Sequence, residues 1–172
     1  ELLINVTRFF RDDEAFKKLT TLVIHKVLTS GNGKDPIRLW VAGCSSGEEP
    51  YSIAILFDEA KNKYNIDRQI KIFATDVDAI AEASAGVYAT EIVQNISNER
   101  LVNYFQHVNS AYVVSPKLRQ IGVCAQHNMI EDPPFSNINL LSCRNALIYF
   151  QKEAQQKIFL LCLTTTWFFI FR

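Results

Sequence analysis

The sequence lacks the residue groupings that hold metals in place. Its four cysteines include no C-x-x-C pair, and its three histidines form no H-E-x-x-H motif. Such spacings are the usual signature of zinc sites, so we expect no metal site. Isolated cysteines in mostly apolar surroundings indicate buried thiols in a reducing cytoplasm. The start of the sequence also has no charged-then-apolar signal pattern, so we expect a cytoplasmic protein.

An excess of one charge sign is also missing. Lys+Arg and Asp+Glu both number 18 in the 172 residues, and basic runs interleaved with aromatics do not occur. This balance argues against a nucleic-acid partner and gives no general attraction to anionic membranes. The strongest apolar run, residues 158–171, is shorter than the roughly 20 residues of a membrane span. We therefore expect no membrane insertion, and the length predicts one domain with a substantial core.

One stretch combines an apolar strand, a glycine loop and the start of a helix. Residues 37–42 are mostly apolar and predict a buried parallel strand. Gly43 and Gly47 bracket a loop of small residues, and Pro50 fits the first helical turn, where its missing N–H costs nothing. Residues 51–57 are apolar nearly all round, so the helix should be buried. The pattern indicates an α/β fold that binds a ligand beside this loop.

This loop lacks both common phosphate-binding signatures. It does not end in the Gly-Lys-Ser or Gly-Lys-Thr of a P-loop, and the spacing of Gly43 and Gly47 misses the dinucleotide pattern G-x-G-x-x-G. The acidic pair Glu48 and Glu49 stands where a phosphate would bind, and its charge would repel pyrophosphate. These acids favour a phosphate-free nucleoside that carries positive charge. S-adenosylmethionine is such a molecule.

Polar residues follow the predicted strands at one edge of the sheet. A second strand ends at Asp76, the position of an acid that hydrogen-bonds ribose hydroxyls in nucleotide-binding units. Its alternative role is to cap the next helix, but Asp78 is better placed for that. Because the carboxyl ends of parallel strands share one crevice, we expect four strand ends to converge there. They lie at Gly43, Asp76, Asn128 and Arg144.

Two segments depart from the alternation of strands and helices. Residues 1–34 form an arm and a helix, which Asp12 or Asp13 caps. The apolar stripe of this helix comprises Phe16, Leu19, Leu22, Val23 and Val27. Residues 87–120 predict a short helix opened by Ser97, followed by hairpin strands. Leu101, Val102 and Phe105 form the apolar face of that short helix. We interpret this second segment as a β-rich insertion that serves partner recognition.

The polar residues of the arm allow two interpretations. Asn5, Thr7 and Arg11 alternate with apolar and aromatic residues. They either cap the helix while the arm packs its aromatics on the domain, or they belong to a lid that contacts a ligand. Residue types alone favour the first interpretation.

Five motifs in order resemble the CheR family of chemotaxis receptor methyltransferases. They are NVTRFFR, AGCSSGEEPYS, ATDVD, HNM and CRNALIYF. The resemblance extends over residues 2–159, and the opening LLINVTRFFRD is most similar to versions fused to a CheB-type methylesterase and to sensor modules. It implies one domain over residues 1–172 with the class I S-adenosylmethionine-dependent methyltransferase fold, a Rossmann-like, mostly parallel sheet flanked by helices. Against the family pattern, we expect the N-terminal helical region to be absent and the C-terminal strands to be truncated.

The resemblance also implies an activity and a set of site residues. The reaction is methyl transfer from S-adenosylmethionine to glutamate side chains of receptor cytoplasmic helices, with S-adenosylhomocysteine as product. The implied cofactor contacts are Asn5, Thr7, Arg11, Gly43, Glu48, Asp76, Asn128, Met129, Arg144 and Asn145. Arg144 and Tyr149 would lie beside the methyl donor and the incoming glutamate. A glutamate with an ordinary pKa of about 4.3 is ionised at neutral pH, so the reaction needs no general base.

Two other functions stay open from the sequence. A non-catalytic module that binds S-adenosylmethionine or docks a partner, inside a larger signalling fusion, fits the shortened chain. A nicotinamide-dependent oxidoreductase is disfavoured, because the loop is acidic and lacks G-x-G-x-x-G. The expected partners are a protein substrate, most simply a chemoreceptor helix, and fused methylesterase or sensor domains.

Overall fold

The computed structural model describes residues 7–144, 147 and 150–171, with backbone only for 161–167 and 169–171. Its helices are α1 (Asp13–Lys18), α2 (Ile24–Thr29), α3 (Glu48–Tyr64), α4 (Ile80–Ala85), α5 (Thr90–Val93), α6 (Asn98–Tyr104), α7 (Pro116–Arg119) and α8 (Lys152–Thr165). Its strands are β1 (Ile37–Ala42), β2 (Ile70–Asp76), β3 (Val87–Ala89), β4 (Phe105–Val108), β5 (Ala111–Val114), β6 (Gly122–Gln126), β7 (Ile138–Cys143) and β8 (Thr166–Phe171). A π-helical turn, Leu19–Val23, joins α1 to α2.

The main sheet has the strand order β6-β2-β1-β7-β8, and all of these pairs are parallel. From β1 the chain builds first toward β2 and β6, and later toward β7 and β8 on the other side. The strand order therefore reverses between β1 and β7, where open α/β sheets bind their ligands. This arrangement confirms the predicted class I methyltransferase fold.

Apolar side chains cover both faces of the sheet. On one face, α1 to α3 pack a large core that includes fully enclosed Phe9, Ile24 and Phe57. On the other face, Trp40 and Leu141 are buried in a smaller cluster that α8 helps to cover. The prediction that α3 is buried is confirmed, because its residues 50–58 are all buried. Burying each large apolar side chain contributes about 1.5–3 kcal/mol, so these two layers fix the loops at the strand ends.

A second, antiparallel sheet of order β3-β5-β4 lies within the segment 87–120. The Ser97 side chain accepts a hydrogen bond from the Arg100 backbone N–H, so Ser97 caps α6 as predicted. Val102 was expected on the apolar face of this helix, but it is 81% exposed. That prediction is wrong, because the short helix buries only the side that carries Tyr104.

The first helix also departs from its predicted pattern. Leu22 was expected in the apolar stripe and is 58% exposed. The π-helical turn explains the difference, because its extra residue rotates the positions after Leu19 away from a 3.6-residue period. The side chain of Asp12, at the N-cap position of α1, makes no capping hydrogen bond. Neither this helix nor any other in the described residues is long and apolar enough to cross a membrane.

Candidate functional site

The glycine loop (residues 43–47) joins the end of β1 to α3 and is fastened to the end of β2. The backbone N–H groups of Gly43 and Cys44 both donate to the Thr75 carbonyl, at 2.8 and 2.9 Å. Gly43 has a φ of 71° and is exposed, so bare backbone faces the crevice at the strand ends. Burial, and then the nearby Asp76 carboxylate, raise the pKa of the Cys44 thiol, which makes this cysteine a poor nucleophile.

Asp76 closes the other side of the loop with its carboxylate. One oxygen accepts a 2.7 Å hydrogen bond from the Ser45 N–H. The other accepts from the Val77 and Asp78 N–H groups, at 2.8 and 3.2 Å. Asp78 was expected to cap α4, but Ala79 holds the N-cap position and no side chain caps that helix. The prediction for Asp78 is therefore wrong. Asp76 is half-buried, which leaves part of its carboxylate facing the crevice.

Gly47 allows the glycine loop to meet α4 and β3 at close range. Its φ is 97°, and a Cβ at this position would lie 2.9 Å from the Ala83 Cα and 3.0 Å from the Tyr88 hydroxyl. That hydroxyl donates a 2.8 Å hydrogen bond to the Ser46 carbonyl. The smaller sheet therefore braces the loop through Tyr88, a contact that no spacing in the sequence indicates.

Glu48 is the buried acid of the site. Its residue is 1% exposed, and the Ser46 hydroxyl lies within hydrogen-bond distance of both carboxylate oxygens, at 3.0 and 2.9 Å. Burial raises the pKa of Glu48, while hydrogen bonds from Ser46 and Thr7 partly oppose that rise. Within the described residues, no lysine or arginine forms an ion pair with this carboxylate. A buried carboxylate of this kind favours a cationic ligand.

Glu49 belongs to a separate polar cluster at the end of β7. It accepts a hydrogen bond from the Ser142 hydroxyl, and its carboxylate lies 3.8 Å from Nη1 of Arg144. Burial raises the pKa of Glu49, and the charge of Arg144 opposes this rise most strongly. Ser142 was not among the predicted site residues. A serine that follows the apolar pair Leu140 and Leu141 near the end of the strand is the one signal that could have identified it.

Arg144 joins this cluster to the N-terminal arm. Its Nη2 donates a 2.6 Å hydrogen bond to the Arg11 carbonyl and lies 3.7 Å from an Asp12 carboxylate oxygen. Its guanidinium also stacks over the Phe16 ring, 4.9 Å from the centroid. The Arg144 side chain is 3% exposed, and its Nε has no hydrogen-bond partner in the described part of the chain. Thr7 hydrogen-bonds the Glu48 carboxylate, and Phe9 and Phe10 of the arm are buried in the core, as the interpretation from residue types expects of the aromatics. Cofactor contacts by the Thr7 and Arg11 side chains stay a prediction.

The chain after β6 completes the crevice. The Asn128 side-chain oxygen accepts from the Ile130 N–H at 3.0 Å, and its own backbone N–H donates to Asp132 at 2.7 Å. Met129 is buried, with its sulfur 3.9 Å from the Cys143 thiol. Asn128 therefore shapes a turn and Met129 packs beneath it, so cofactor contacts by these two residues stay a prediction.

The strand ends that were predicted to converge do so in the described residues. Gly43 begins the glycine loop, and Asp76 is joined to this loop by the hydrogen bond from the Ser45 N–H. The chain after β6 is tied to β2 by the bond from the His127 N–H to the Asp76 carbonyl, at 3.0 Å. The end of β7 joins through Glu49 and Arg144. Three predicted site residues lie outside the described residues: Asn5, Asn145 and Tyr149.

Comparison with known families bears on this crevice directly. The family model described as CheR methyltransferase, SAM binding domain, matches residues 5–162. The chain belongs to the CheR methyltransferase family. Its cofactor is S-adenosylmethionine, because the matched region is the SAM-binding domain of this family.

Curated relatives place this CheR domain among longer proteins. An uncharacterized 104.1 kDa protein of Rhodobacter capsulatus is 40% identical over 91% of the chain, which spans 17% of that protein. A chemotaxis protein methyltransferase of Borreliella burgdorferi is 31% identical over 90% of the chain, and chemotaxis protein methyltransferase 1 of Pseudomonas aeruginosa is 32% identical over 91%. The CheR domain spans 57% and 59% of these two relatives, so it corresponds to little more than half of their length.

Solved structures give a weaker likeness to this CheR domain. A magnesium protoporphyrin IX methyltransferase from Synechocystis with bound SAH has a TM-score of 0.43 and 11% identity, and the match covers 88% of this chain and 52% of that one. The crevice itself is a better measure of fit to the cofactor. Glu48 offers a buried negative charge that has no cation partner among the described residues, and Asp76 offers a partly open carboxylate. The glycine loop carries no lysine or arginine to attract phosphate.

Proposed function

We propose that this domain transfers a methyl group from S-adenosylmethionine to glutamate side chains of chemoreceptor-like signalling proteins. The observation that carries the proposal is the buried Glu48 carboxylate, which has no cation partner in the described residues and lies at the same strand ends as Asp76. Such a pair suits a nucleoside that carries positive charge and has ribose hydroxyls but no phosphate. The CheR family membership and the two chemotaxis methyltransferases among the relatives support the same reaction.

The residues of the crevice divide into holding and orienting roles. Asp76 accepts hydrogen bonds from the ribose hydroxyls, Gly43 lets the cofactor lie against backbone, and Glu48 faces its positively charged methionine end. Thr7 stabilises the Glu48 carboxylate from the arm. When bound, S-adenosylmethionine supplies an electrophilic methyl group on a positively charged sulfur. The predicted contacts of Asn5, Arg11, Asn128, Met129 and Asn145 complete the proposed cofactor site.

Catalysis then depends on alignment rather than proton transfer. A substrate glutamate is already ionised at neutral pH, so the chain has to hold its carboxylate in line with the methyl group and exclude water. Arg144 and Tyr149 are the proposed orienting residues on the substrate side. In its present contacts Arg144 is occupied by the arm and by Glu49, so its guanidinium reaches a substrate carboxylate only when some of these contacts are exchanged.

The proposal also fixes a setting for the domain. The substrate is a cytoplasmic receptor helix, which places the reaction in the cytoplasm. The chain spans only 17% of the relative from Rhodobacter capsulatus, which supports a role for this domain within a larger protein. Fused methylesterase or sensor domains are the proposed neighbours.

Calorimetry with S-adenosylhomocysteine and with NAD tests the cofactor part of this proposal. We expect binding of S-adenosylhomocysteine and no binding of NAD, whose pyrophosphate is repelled by the Glu48 carboxylate. Binding of NAD alone would instead support an oxidoreductase. Labelled methyl transfer to a receptor fragment separates an enzyme from a non-catalytic binding module.

A further inference from the structure

The connection from β6 to β7 crosses one face of the sheet without a helix in its described residues. Parallel strands are usually joined through a helix that covers this face. Here a ladder of stacked rings takes its place. Phe135, within the connection, stacks on Phe73 of β2 at 4.9 Å and on His127 at 5.1 Å between ring centroids. Trp40 of β1 meets both Phe135 and His127 edge-on, at 5.1 and 5.3 Å.

His127 is the member of this ladder that also makes directed hydrogen bonds. Its backbone N–H donates to the Asp76 carbonyl at 3.0 Å. Its ring Nε2 lies 3.1 Å from the Pro133 carbonyl oxygen, which can only accept, so Nε2 carries the proton. The residue is 8% exposed. His127 thus ties both ends of the turn over residues 128–133 to the strand that carries Asp76, through its backbone N–H to Asp76 and through its ring to Pro133.

The second ring nitrogen shows that His127 does more than fill space. Nδ1 is fully enclosed and has no hydrogen-bond partner among the described residues. A buried acceptor without a partner lowers stability, so an apolar ring such as phenylalanine would pack here at less cost. What phenylalanine cannot supply is the donor to Pro133. The hydrogen bond that closes the turn is therefore the property that distinguishes histidine at this position.

We propose that His127 is a positioning residue that holds the turn over residues 128–133 against Asp76, and so shapes the adenine and ribose half of the cofactor site. This inference rests on the proposed function, because it takes the crevice at the strand ends as the place where the cofactor binds. The turn begins one residue after His127 and carries Asn128 and Met129, whereas Glu48 and the arm lie on the methionine side. The contacts of His127 are to Asp76, Pro133 and the rings of Trp40 and Phe135, so it acts on the cofactor site through the turn.

Two substitutions of His127 separate the hydrogen bond from the ring. His127→Phe keeps the stacking and removes the donor to Pro133, while His127→Gln keeps a donor and removes the ring. We expect His127→Phe to weaken the binding of adenosine and of S-adenosylhomocysteine by the same factor. That factor is about tenfold, as the loss of roughly one hydrogen bond predicts. We expect the affinities of His127→Gln for both ligands to stay within about threefold of those of the unsubstituted chain, because its amide can replace the Nε2 donor. In turnover, His127→Phe raises KM for S-adenosylmethionine and leaves kcat unchanged.

Val93→Ala is the control for general destabilisation, because Val93 is buried in α5, within the segment 87–120 and not in the connection from β6 to β7. It should lower the melting temperature without changing adenosine affinity. A folded His127→Phe chain that binds adenosine normally would overturn the proposal, and so would an equal loss of affinity in Val93→Ala. If His127→Phe does not fold, His127→Met provides the test, because it also removes the donor to Pro133, and unchanged adenosine affinity in that folded variant contradicts the proposal. If the unsubstituted chain binds no S-adenosylhomocysteine, both the proposed cofactor site and this inference are wrong. If the unsubstituted chain binds it and His127→Phe binds it equally well, only this inference is wrong.

Discussion

Nη2 of Arg144 donates a 2.6 Å hydrogen bond to the backbone carbonyl of Arg11, which joins the end of β7 to the N-terminal arm. The same guanidinium lies 3.8 Å from the Glu49 carboxylate, beside the first turn of α3. One buried cation thus links three parts of the chain that border the crevice. Arm, helix and strand can shift only together as long as these contacts persist.

Arg144→Ala should lower methyl transfer far more than cofactor affinity. Because the loss of the bond to Arg11 loosens the arm, we expect the variant to bind S-adenosylhomocysteine roughly tenfold more weakly. The loss of the orienting guanidinium persists at saturating S-adenosylmethionine, where kcat should fall at least about a hundredfold. Calorimetry and turnover measured on the same preparation give both numbers. Equal losses in affinity and in turnover would contradict the role on the substrate side.

Glu48→Gln should stabilise the ligand-free protein and lower its affinity for the cofactor. Burial raises the pKa of Glu48 above its ordinary value of 4.5, so the folded chain binds this proton more tightly than the unfolded chain. The stability that this carboxyl contributes is therefore greatest below pH 4.5 and declines as the pH rises toward the raised pKa. Glutamine does not titrate, so the melting temperature should depend less on pH above 4.5 and be higher near neutrality.

The affinity for S-adenosylhomocysteine should change in the opposite direction in Glu48→Gln. A charge-assisted hydrogen bond is worth about 1.5–3 kcal/mol, so a loss of at least about tenfold is expected. Thermal melts from pH 4 to 8 and calorimetry at neutral pH check the two effects. A variant that is less stable at every pH would contradict the raised pKa, and unchanged affinity would remove Glu48 from the cofactor site.

Asp76→Asn should cost both stability and cofactor affinity. The single amide oxygen of asparagine can still accept from Val77 and Asp78, but its NH₂ group would face the Ser45 N–H. We expect the free energy of unfolding to fall by about 1–3 kcal/mol. Asp78→Asn is the matched control, because the exposed Asp78 side chain does not cap α4. Denaturant titration measures the stability of both variants, and calorimetry measures their affinity for S-adenosylhomocysteine. Equal effects at the two positions would contradict the role of Asp76.

Gly47→Ala should be more destabilising than Gly31→Ala. Both glycines have positive φ, of 97° and 69°, so both substitutions strain the backbone. Only at Gly47 would the new Cβ also lie within 3 Å of backbone, at the Ala83 Cα, whereas nothing lies within 4 Å of a Cβ at Gly31. We expect a loss of about 1 kcal/mol at Gly31 and of about 3 kcal/mol or more at Gly47. Urea unfolding measures both, and equal losses would show that α4 does not press on the glycine loop.

The layout of strands and the crevice followed from the sequence because local patterns determine them. Apolar runs that end in Gly43, Asp76 and Arg144 are features of neighbouring residues, and parallel strands bring such ends to one edge. The errors have two sources. Val102 lies on a short helix whose buried side depends on elements distant in sequence, and Leu22 lies in a π-helical turn that shifts the helical period. Periodicity alone does not show which side of a short helix is covered.

The contacts that fasten the site were also beyond the sequence. The bond from Tyr88 to the Ser46 carbonyl joins residues 42 positions apart, and the bond from Arg144 to Arg11 joins residues 133 apart. Both use a backbone carbonyl as acceptor, which leaves no trace in residue type. Ser142 is a different case, because a buried hydroxyl in a strand usually has a hydrogen-bond partner, and so its residue type indicates a contact. That partner is Glu49.

Transfer of a labelled methyl group tests the central claim most directly. The chain is incubated with methyl-labelled S-adenosylmethionine and a chemoreceptor cytoplasmic fragment, alongside the same fragment with its candidate glutamates changed to alanine. We predict label on the unchanged fragment alone, released by mild alkali as expected for a glutamate methyl ester, and strongly reduced by Arg144→Ala. Binding of S-adenosylhomocysteine without any label on the fragment would contradict the proposed enzyme and support a non-catalytic module.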